Sequence, residues 1–188
     1  LFAELNRTQL AAAAADSLVV LPVGATEQHG PHLPTGTDYF TVEAISREAA
    51  ARASAEIPVL VTPALPFGSS EHHLMYGGTL SLSTETYYRV LRELVDSLVT
   101  DGFTRIFIVN GHGGNHELVQ LAARDLGLKH PVSSGAASFW TVAWDALVAL
   151  DAHKLGRLPG HAGFFETSLM LHLHGELIDK SKLPHRDN

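Results

Sequence analysis

Three short stretches of this chain hold most of the residues able to do chemistry, and each sets histidine close to a carboxylate or to a run of glycine. The first reads Gly24-Ala25-Thr26-Glu27-Gln28-His29-Gly30-Pro31-His32-Leu33-Pro34-Thr35-Gly36-Thr37-Asp38. If Glu27 to His29 run extended, side chains alternate, so Glu27 and His29 share a face and Gln28 opposes them. Asp38, past a loop punctuated by Pro and Gly, stands at a helix N-cap position from which it can return to the same rim. A carboxylate there can bridge two cations. Singly these residues have plainer readings, Asp38 as a cap and Glu27 and His29 as solvated loop residues. Together, Glu-x-His, then Gly-Pro-His, then Asp form a nitrogen and oxygen donor set that suits zinc or manganese.

The second stretch, Asn110-Gly111-His112-Gly113-Gly114-Asn115, lies between an apolar run and a helical pattern. Its glycines permit positive φ and close approach of backbone to a ligand, with His112 held on a tight turn. The plain alternative is a glycine-rich turn with an incidental histidine. A phosphate turn ranks low, since neither a Lys-Ser/Thr pair nor Gly-x-Gly-x-x-Gly spacing is present. In the third stretch, residues 160–171, His161 precedes an apolar helix with Phe165, Leu169 and His172 on one stripe. Glu166 lies near the helix start, where the dipole alone favours a carboxylate. Of His72 and His73, one could line the site while the other reads as surface. His153, His172, His174 and His185 read as surface or packed residues. Trp140 and Trp144 read as core, with rings walling a pocket as the alternative.

These stretches need a scaffold that brings them together. Four short apolar runs rich in β-branched residues read as buried strands, at 18–23, 59–62, 105–109 and 131–138. Helices are expected at 38–53, at 84–100 with Tyr88, Leu91, Val95 and Leu98 at helical spacing, and at 115–126. Another begins near Asn6 or Thr8 and ends in the alanines Ala11 to Ala15. This alternation predicts βαβ units and a mainly parallel sheet covered on both faces. Ligands of such sheets bind beyond the carboxyl ends of the strands, which is where the polar segments 24–38, 63–78 and 110–115 fall. One domain over residues 1–188 is expected. An opening on Leu1 and a charged stretch from Lys180 to Asn188 read as a fragment, with a C-terminal part missing.

Composition narrows the chemistry. Cysteine is absent, which removes disulfides, thiolate ligands and thiol nucleophiles. Histidine occurs 12 times in 188 residues and is clustered. Lys plus Arg number 13 against 20 for Asp plus Glu, a net charge of −7 that argues against nucleic acid as a partner. With 45% hydrophobic and 18% charged residues the chain can bury a core. No apolar run approaches the roughly 20 residues that span a bilayer, and no signal-peptide pattern opens the chain. A soluble, cytoplasmic protein without a membrane partner is expected.

The wording Glu27-Gln28-His29-Gly30-Pro31-His32-Leu33-Pro34 with Asp38, Asn110-Gly111-His112-Gly113-Gly114-Asn115, and His161-Ala162-Gly163 with Glu166-Thr167-Ser168 resembles the creatininase (creatinine amidohydrolase) family from about Leu18 to Leu171. The combination is specific, although no single motif is. The resemblance implies an α/β fold, a three-layer α/β/α sandwich around a mainly parallel sheet. It also implies a two-metal site, usually filled by zinc or manganese, and often a hexamer, so a homo-oligomer is expected. The family's metal set maps onto Glu27, His29, Asp38 and His112, with Asp38 as the bridge. Creatininase itself carries a glutamate two residues after the histidine of Asn-Gly-His, where this chain has Gly114. The second metal thereby loses a ligand, and Glu166 is the candidate replacement, as in relatives that share the Gly-His-Gly-Gly-Asn wording. Those branches contain formamide deformylases and the peptidase of mycofactocin maturation, so creatinine is not the favoured substrate.

The expected chemistry is hydrolysis of a small-molecule substrate, a non-peptide or cyclic amide or a formamide, by a metal-activated water. Two divalent ions serve it, zinc foremost and manganese or iron otherwise. His161 is the candidate general acid toward the leaving nitrogen, and Glu166, if it is no ligand, could orient His161 or accept the water's proton. The alternatives are a family peptidase acting on a modified peptide and a metal-binding subunit without turnover, the latter motivated by Gly114. A mononuclear phosphoester hydrolase ranks lower, because no Lys or Arg falls within the three stretches.

Overall fold

The apolar runs pair into a single parallel sheet in the computed structural model, which describes residues 1–183. Strands β1 (Leu18–Val23), β2 (Val59–Val61), β3 (Arg105–Asn110) and β4 (Ser133–Ser138) lie in the order β2-β1-β3-β4. β1 and β3 pair from Leu18 opposite Arg105 to Val23 opposite Asn110, so the two central strands end side by side. After β2 the chain returns to the other side of β1, and this reversal of strand order opens a crevice past the carboxyl ends of β1 and β3.

Helices α1 (Arg7–Ala13), α2 (Thr37–Ala53), α3 (Thr84–Thr100), α4 (His116–Lys129), α5 (Phe139–Val142), α6 (Trp144–Ala149) and α7 (Phe164–His174) complete the fold. Asn6 caps α1 in a reciprocal box with Gln9, which fixes its start against weak intrinsic order in a short helix. On one face of the sheet, Val19, Leu21, Val23, Ile106 and Ile108 pack under Leu91, Val95 and Leu98 of α3 and Val119, Ala122 and Leu126 of α4. On the other, Val20 and Val61 meet Ala50 of α2, with Leu18, Val59 and Val109 partly buried around them. At roughly 1.5–3 kcal/mol for each large apolar side chain fully buried, the α3 and α4 layer contributes most of the core. The three-layer α/β/α arrangement is thus present, and α7 joins the α2 side, where Met170 packs with Leu33 and Ile178.

Several boundaries and faces differ from the sequence pattern. α2 begins one residue early, with Gly36 as its N-cap, so Asp38 is no cap but lies inside the first turn. Thr37 closes that start by donating its hydroxyl to the Pro34 carbonyl. On α3 the fully buried tyrosine is Tyr87, four residues before Leu91, while Tyr88 sits at the edge and donates its hydroxyl to Asp125. On α7 the buried positions are Phe165 and Met170, and His172 faces solvent. The tryptophans are not core: Trp144 is 45% exposed and Trp140 is half-buried. α5 and α6 bury no residue, which is why rings on them cannot fill the interior. His185 and the last residues of the charged ending lie outside the described residues. Among the described residues no helix is long and apolar enough to cross a membrane.

Candidate metal centre

Close packing of backbone brings the strand ends together. A Cβ on Gly111 would lie 2.7 Å from Val42 Cβ and 2.9 Å from the Asp38 carbonyl oxygen, so only glycine lets β3 run out over the first turn of α2. A Cβ on Gly114 would lie 2.3 Å from the Ser69 carbonyl oxygen and 2.6 Å from His112 Nε2. Gly111 and Gly114 therefore serve close approach between protein segments; positive φ occurs at other glycines, such as Gly30 and Gly160. Two fully buried asparagines hold the turn. Asn110 accepts the His112 N–H at 3.0 Å and donates to the His112 carbonyl at 2.7 Å. Asn115 accepts from the Ser69 N–H and donates to the Gly24 carbonyl, each at 3.0 Å, tying the loops after β1 and β2 to the start of α4.

His29 and His112 are both buried, and each turns one ring nitrogen to a backbone carbonyl. His29 Nδ1 is 3.1 Å from the Glu27 carbonyl oxygen, and His112 Nε2 is 3.1 Å from that of Ser69. A nitrogen facing a carbonyl carries the hydrogen, so in a neutral ring the other nitrogen is a lone pair. Those lone pairs face carboxylates. His29 Nε2 is 3.1 Å from Asp38 Oδ1 and 3.6 Å from Glu166 Oε2. His112 Nδ1 is 2.9 Å from Asp38 Oδ2 and 3.4 Å from Glu27 Oε1. Buried Glu27 Oε2, His29 Nε2 and Asp38 Oδ2 have no hydrogen-bond partner of suitable direction. Lone pairs set against lone pairs in a buried site repel, and either a proton or a metal cation between them relieves it.

Protonation follows the same logic. Burial opposes charge on His29, yet Asp38 and Glu166 outweigh it and raise the imidazole to about 11. Burial likewise opposes charge on His112, which Asp38 and Glu27 raise to about 10. For Asp38 burial works upward, but the two histidines hold it down at about 2. Glu27 is also lowered, because His112 outweighs its burial. In the chain alone, protons occupy the role that divalent cations fit by donor type and direction.

The donors form two sets that share Asp38: Glu27, Asp38 Oδ2 and His112 on one side, and His29, Asp38 Oδ1 and Glu166 on the other. In the second set the donor atoms all lie within 4.8 Å of one another. Glu166 lies in the first turn of α7 and accepts the N–H of Ala162, a loop residue in the left-handed region with φ 48°. His32, also from the first stretch, meets Thr167 Oγ1 at 3.0 Å and so joins the loop after β1 to α7.

Glu27, Asp38, His112 and Glu166 line a cavity of about 140 Å³ whose mouth holds residues that local patterns leave unassigned. His72 and His73 both line it, with Trp140 and His161. His72 comes within ligand reach of Glu27 and His112, and His161 of Glu27 and His29. His161 Nδ1 and His73 Nε2 stand 3.5 and 3.6 Å from Glu27 Oε1, and the two rings stack with centroids 4.1 Å apart. Gln28 joins both rings, although alternation turns it away from Glu27 and His29. The sequence signal for His72 and His73 is their place in the loop after β2, and for Trp140 its place just past β4. Of the remaining histidines, His174 packs near the Phe40 ring and Glu176.

A family model described as Creatinine amidohydrolase matches residues 3–188. The chain is 37% identical over 164 residues to the mycofactocin precursor peptide peptidase of Mycobacterium tuberculosis, covering 82% of this chain and 58% of that protein. It is 31% identical over 186 residues to the creatinine amidohydrolase of Pseudomonas putida, covering 91% of this chain and 70% of that protein. A crystal structure of creatinine amidohydrolase superposes with a TM-score of 0.82 at 31% identity, covering 96% of this chain and 74% of that one. Creatininase structures of similar likeness include a manganese form and a Zn-Zn form. The chain thus spans under two thirds of the length of the mycobacterial relative.

Proposed function

The chain belongs to the creatininase family, and from that premise we propose that it is a metal-dependent hydrolase of a carbon–nitrogen bond in a small non-peptide amide, a cyclic amide or a formamide. One observation carries the reading: the inward nitrogens of two buried imidazoles, Nε2 of His29 and Nδ1 of His112, face the two oxygens of Asp38, with Glu27 and Glu166 completing a set on each side. Divalent ions, zinc foremost and two per chain, held by Glu27, Asp38 and His112 and by His29, Asp38 and Glu166, would supply an acidified water and polarise an amide carbonyl.

The protein's own groups do the rest. Hydrolysis adds the water oxygen to the amide carbon, breaks the C–N bond and moves a hydrogen to the leaving nitrogen. We assign that delivery to His161, whose Nδ1 faces the cavity. Glu166 acts by holding its side of the centre, its rotamer fixed by the Ala162 N–H. The cavity of about 140 Å³ suits a formamide or small ring, well below the roughly 300–1,000 Å³ of sites that enclose drug-sized ligands. A second reading, a peptidase presenting one peptide end to the same cavity, is favoured by the likeness to the mycofactocin precursor peptide peptidase. Assembly as a homo-oligomer, a hexamer by family resemblance, accompanies either reading and is measured by analytical ultracentrifugation.

The test is elemental analysis joined to release of ammonia or amine from creatinine, formamides and short peptides. About two ions per chain, release from a formamide or cyclic amide and its abolition by chelator are expected. Release from peptides alone would establish the second reading. No release after zinc or manganese is added back would overturn both in favour of a binding subunit.

A further inference from the structure

Gln28 touches both imidazoles at the cavity mouth without belonging to either donor set. Its Oε1 accepts the Gly30 N–H at 3.0 Å, which settles the orientation of the amide: oxygen toward Gly30, NH2 toward the rings. That nitrogen lies 2.9 Å from His73 Nδ1 and 3.0 Å from His161 Nε2, one amide hydrogen for each. A ring nitrogen that accepts carries no hydrogen, so each neutral ring bears its own on the other nitrogen, Nε2 of His73 and Nδ1 of His161. Both of these face Glu27 Oε1, at 3.6 and 3.5 Å. Those distances exceed a hydrogen bond, yet a carboxylate that close favours an N–H over a lone pair. The amide on one side and the carboxylate on the other select the same tautomer of each ring.

We propose that Gln28 is a positioning residue that holds His73 and His161 as a pair of N–H donors toward the substrate. The inference rests on the hydrolytic reading of the centre and adds His73 to the groups that touch the reacting amide. The rings are stacked at 21°, so their donor nitrogens share one wall of the cavity beside Glu27. Two fixed donors on one wall are suited to an acceptor whose charge grows as the reaction proceeds, which the carbonyl oxygen of an amide under attack is. The side chain opposed to Glu27 and His29 along the strand end thus sets the mouth, while those two build the floor.

The experiment reads the tautomers directly, by long-range proton–nitrogen NMR correlation on chain labelled with ¹⁵N-histidine, with and without zinc. The native chain should show hydrogen on His73 Nε2 and His161 Nδ1. Gln28→Glu, which offers oxygen to both rings, should bring hydrogen to His73 Nδ1 and His161 Nε2 without changing zinc content. Gln28→Met, the milder replacement should Gln28→Glu fail to fold, removes the amide's share of the bias and should populate the second tautomer of each ring beside the one Glu27 favours. With any panel amide that is turned over, either variant should lower kcat by roughly 10²-fold with a smaller change in KM. Native rings with hydrogen on the Gln28 side, or tautomers that neither variant moves, would overturn the proposal. Because the tautomers are read without substrate, an inactive protein would sink the hydrolytic reading and still report on Gln28.

Discussion

Among the imidazoles around this group of carboxylates, two at the floor are arranged opposite to two at the mouth. His29 and His112 give a hydrogen to the Glu27 and Ser69 carbonyls, so that once neutral they turn lone pairs inward. His73 and His161 receive the Gln28 amide, and on our reading turn hydrogens inward. Ring charge differs with depth as well: carboxylates raise His29 and His112 to about 11 and about 10, whereas burial first of all holds His73 below the ordinary imidazole value. The lesson is that the partner on the far nitrogen decides whether a histidine can be a ligand or a donor. Proximity to a carboxylate, common to all four, does not decide it.

The strongest way to break this contrast is Asp38→Ala, which takes the shared carboxylate from both floor histidines. Both ions should be lost by elemental analysis, turnover should fall to background, and removal of the partner of a buried pair should cost about 3–5 kcal/mol in urea unfolding. Glu166→Gln is the next largest change and should separate the two sets, reducing bound metal from about two to about one per chain while the Glu27 and His112 side keeps its ion. Loss of both ions together would show that the sets are not separable. Asn115→Ala leaves every donor in place but unties the loops after β1 and β2, and should weaken metal affinity by about 10–100-fold in a competition titration with a chelator.

The gentlest test is the pH dependence of the chelated protein. Imidazoles raised by folding stabilise it fully below their unfolded value of about 6.5, and that stabilisation is lost as pH rises through about 10 and about 11. Asp38 works the other way, stabilising above about 4 and losing its effect as pH falls through about 2. Chelated protein should therefore be most resistant to urea between about pH 4 and 6.5 and weaken steadily above that. Zinc-loaded protein should weaken less over the same range, since its floor imidazoles no longer release protons.

The floor was more legible in the sequence than the mouth, for a physical reason. Glu27 and His29 follow a strand whose alternation is local, and His112 stands among glycines at the end of another, so their convergence required only the parallel sheet. Asp38 reads both as a cap and as a bridge between cations, and the cap fails because helix starts are fixed by one residue of backbone geometry, which places Asp38 in the first turn behind Gly36. Glu166 becomes a ligand candidate only through the family resemblance, because nothing local separates a carboxylate that satisfies a helix start from one that faces His29. His73, Trp140 and the double contact of Gln28 depend on how loops fold back across the strand ends, and no periodicity encodes that. The same limit explains the tryptophans: large aromatic residues after a strand suggest core, yet α5 and α6 lie at the surface and leave Trp140 to wall the cavity.

Whether Asp38 joins two metal sets is read from anomalous diffraction of a crystal of the zinc-loaded protein. Two anomalous peaks are expected, one among Glu27, Asp38 and His112 and one among His29, Asp38 and Glu166, with one Asp38 oxygen directed at each. A single peak, or two peaks of which one lies out of reach of Asp38, would contradict a shared Asp38.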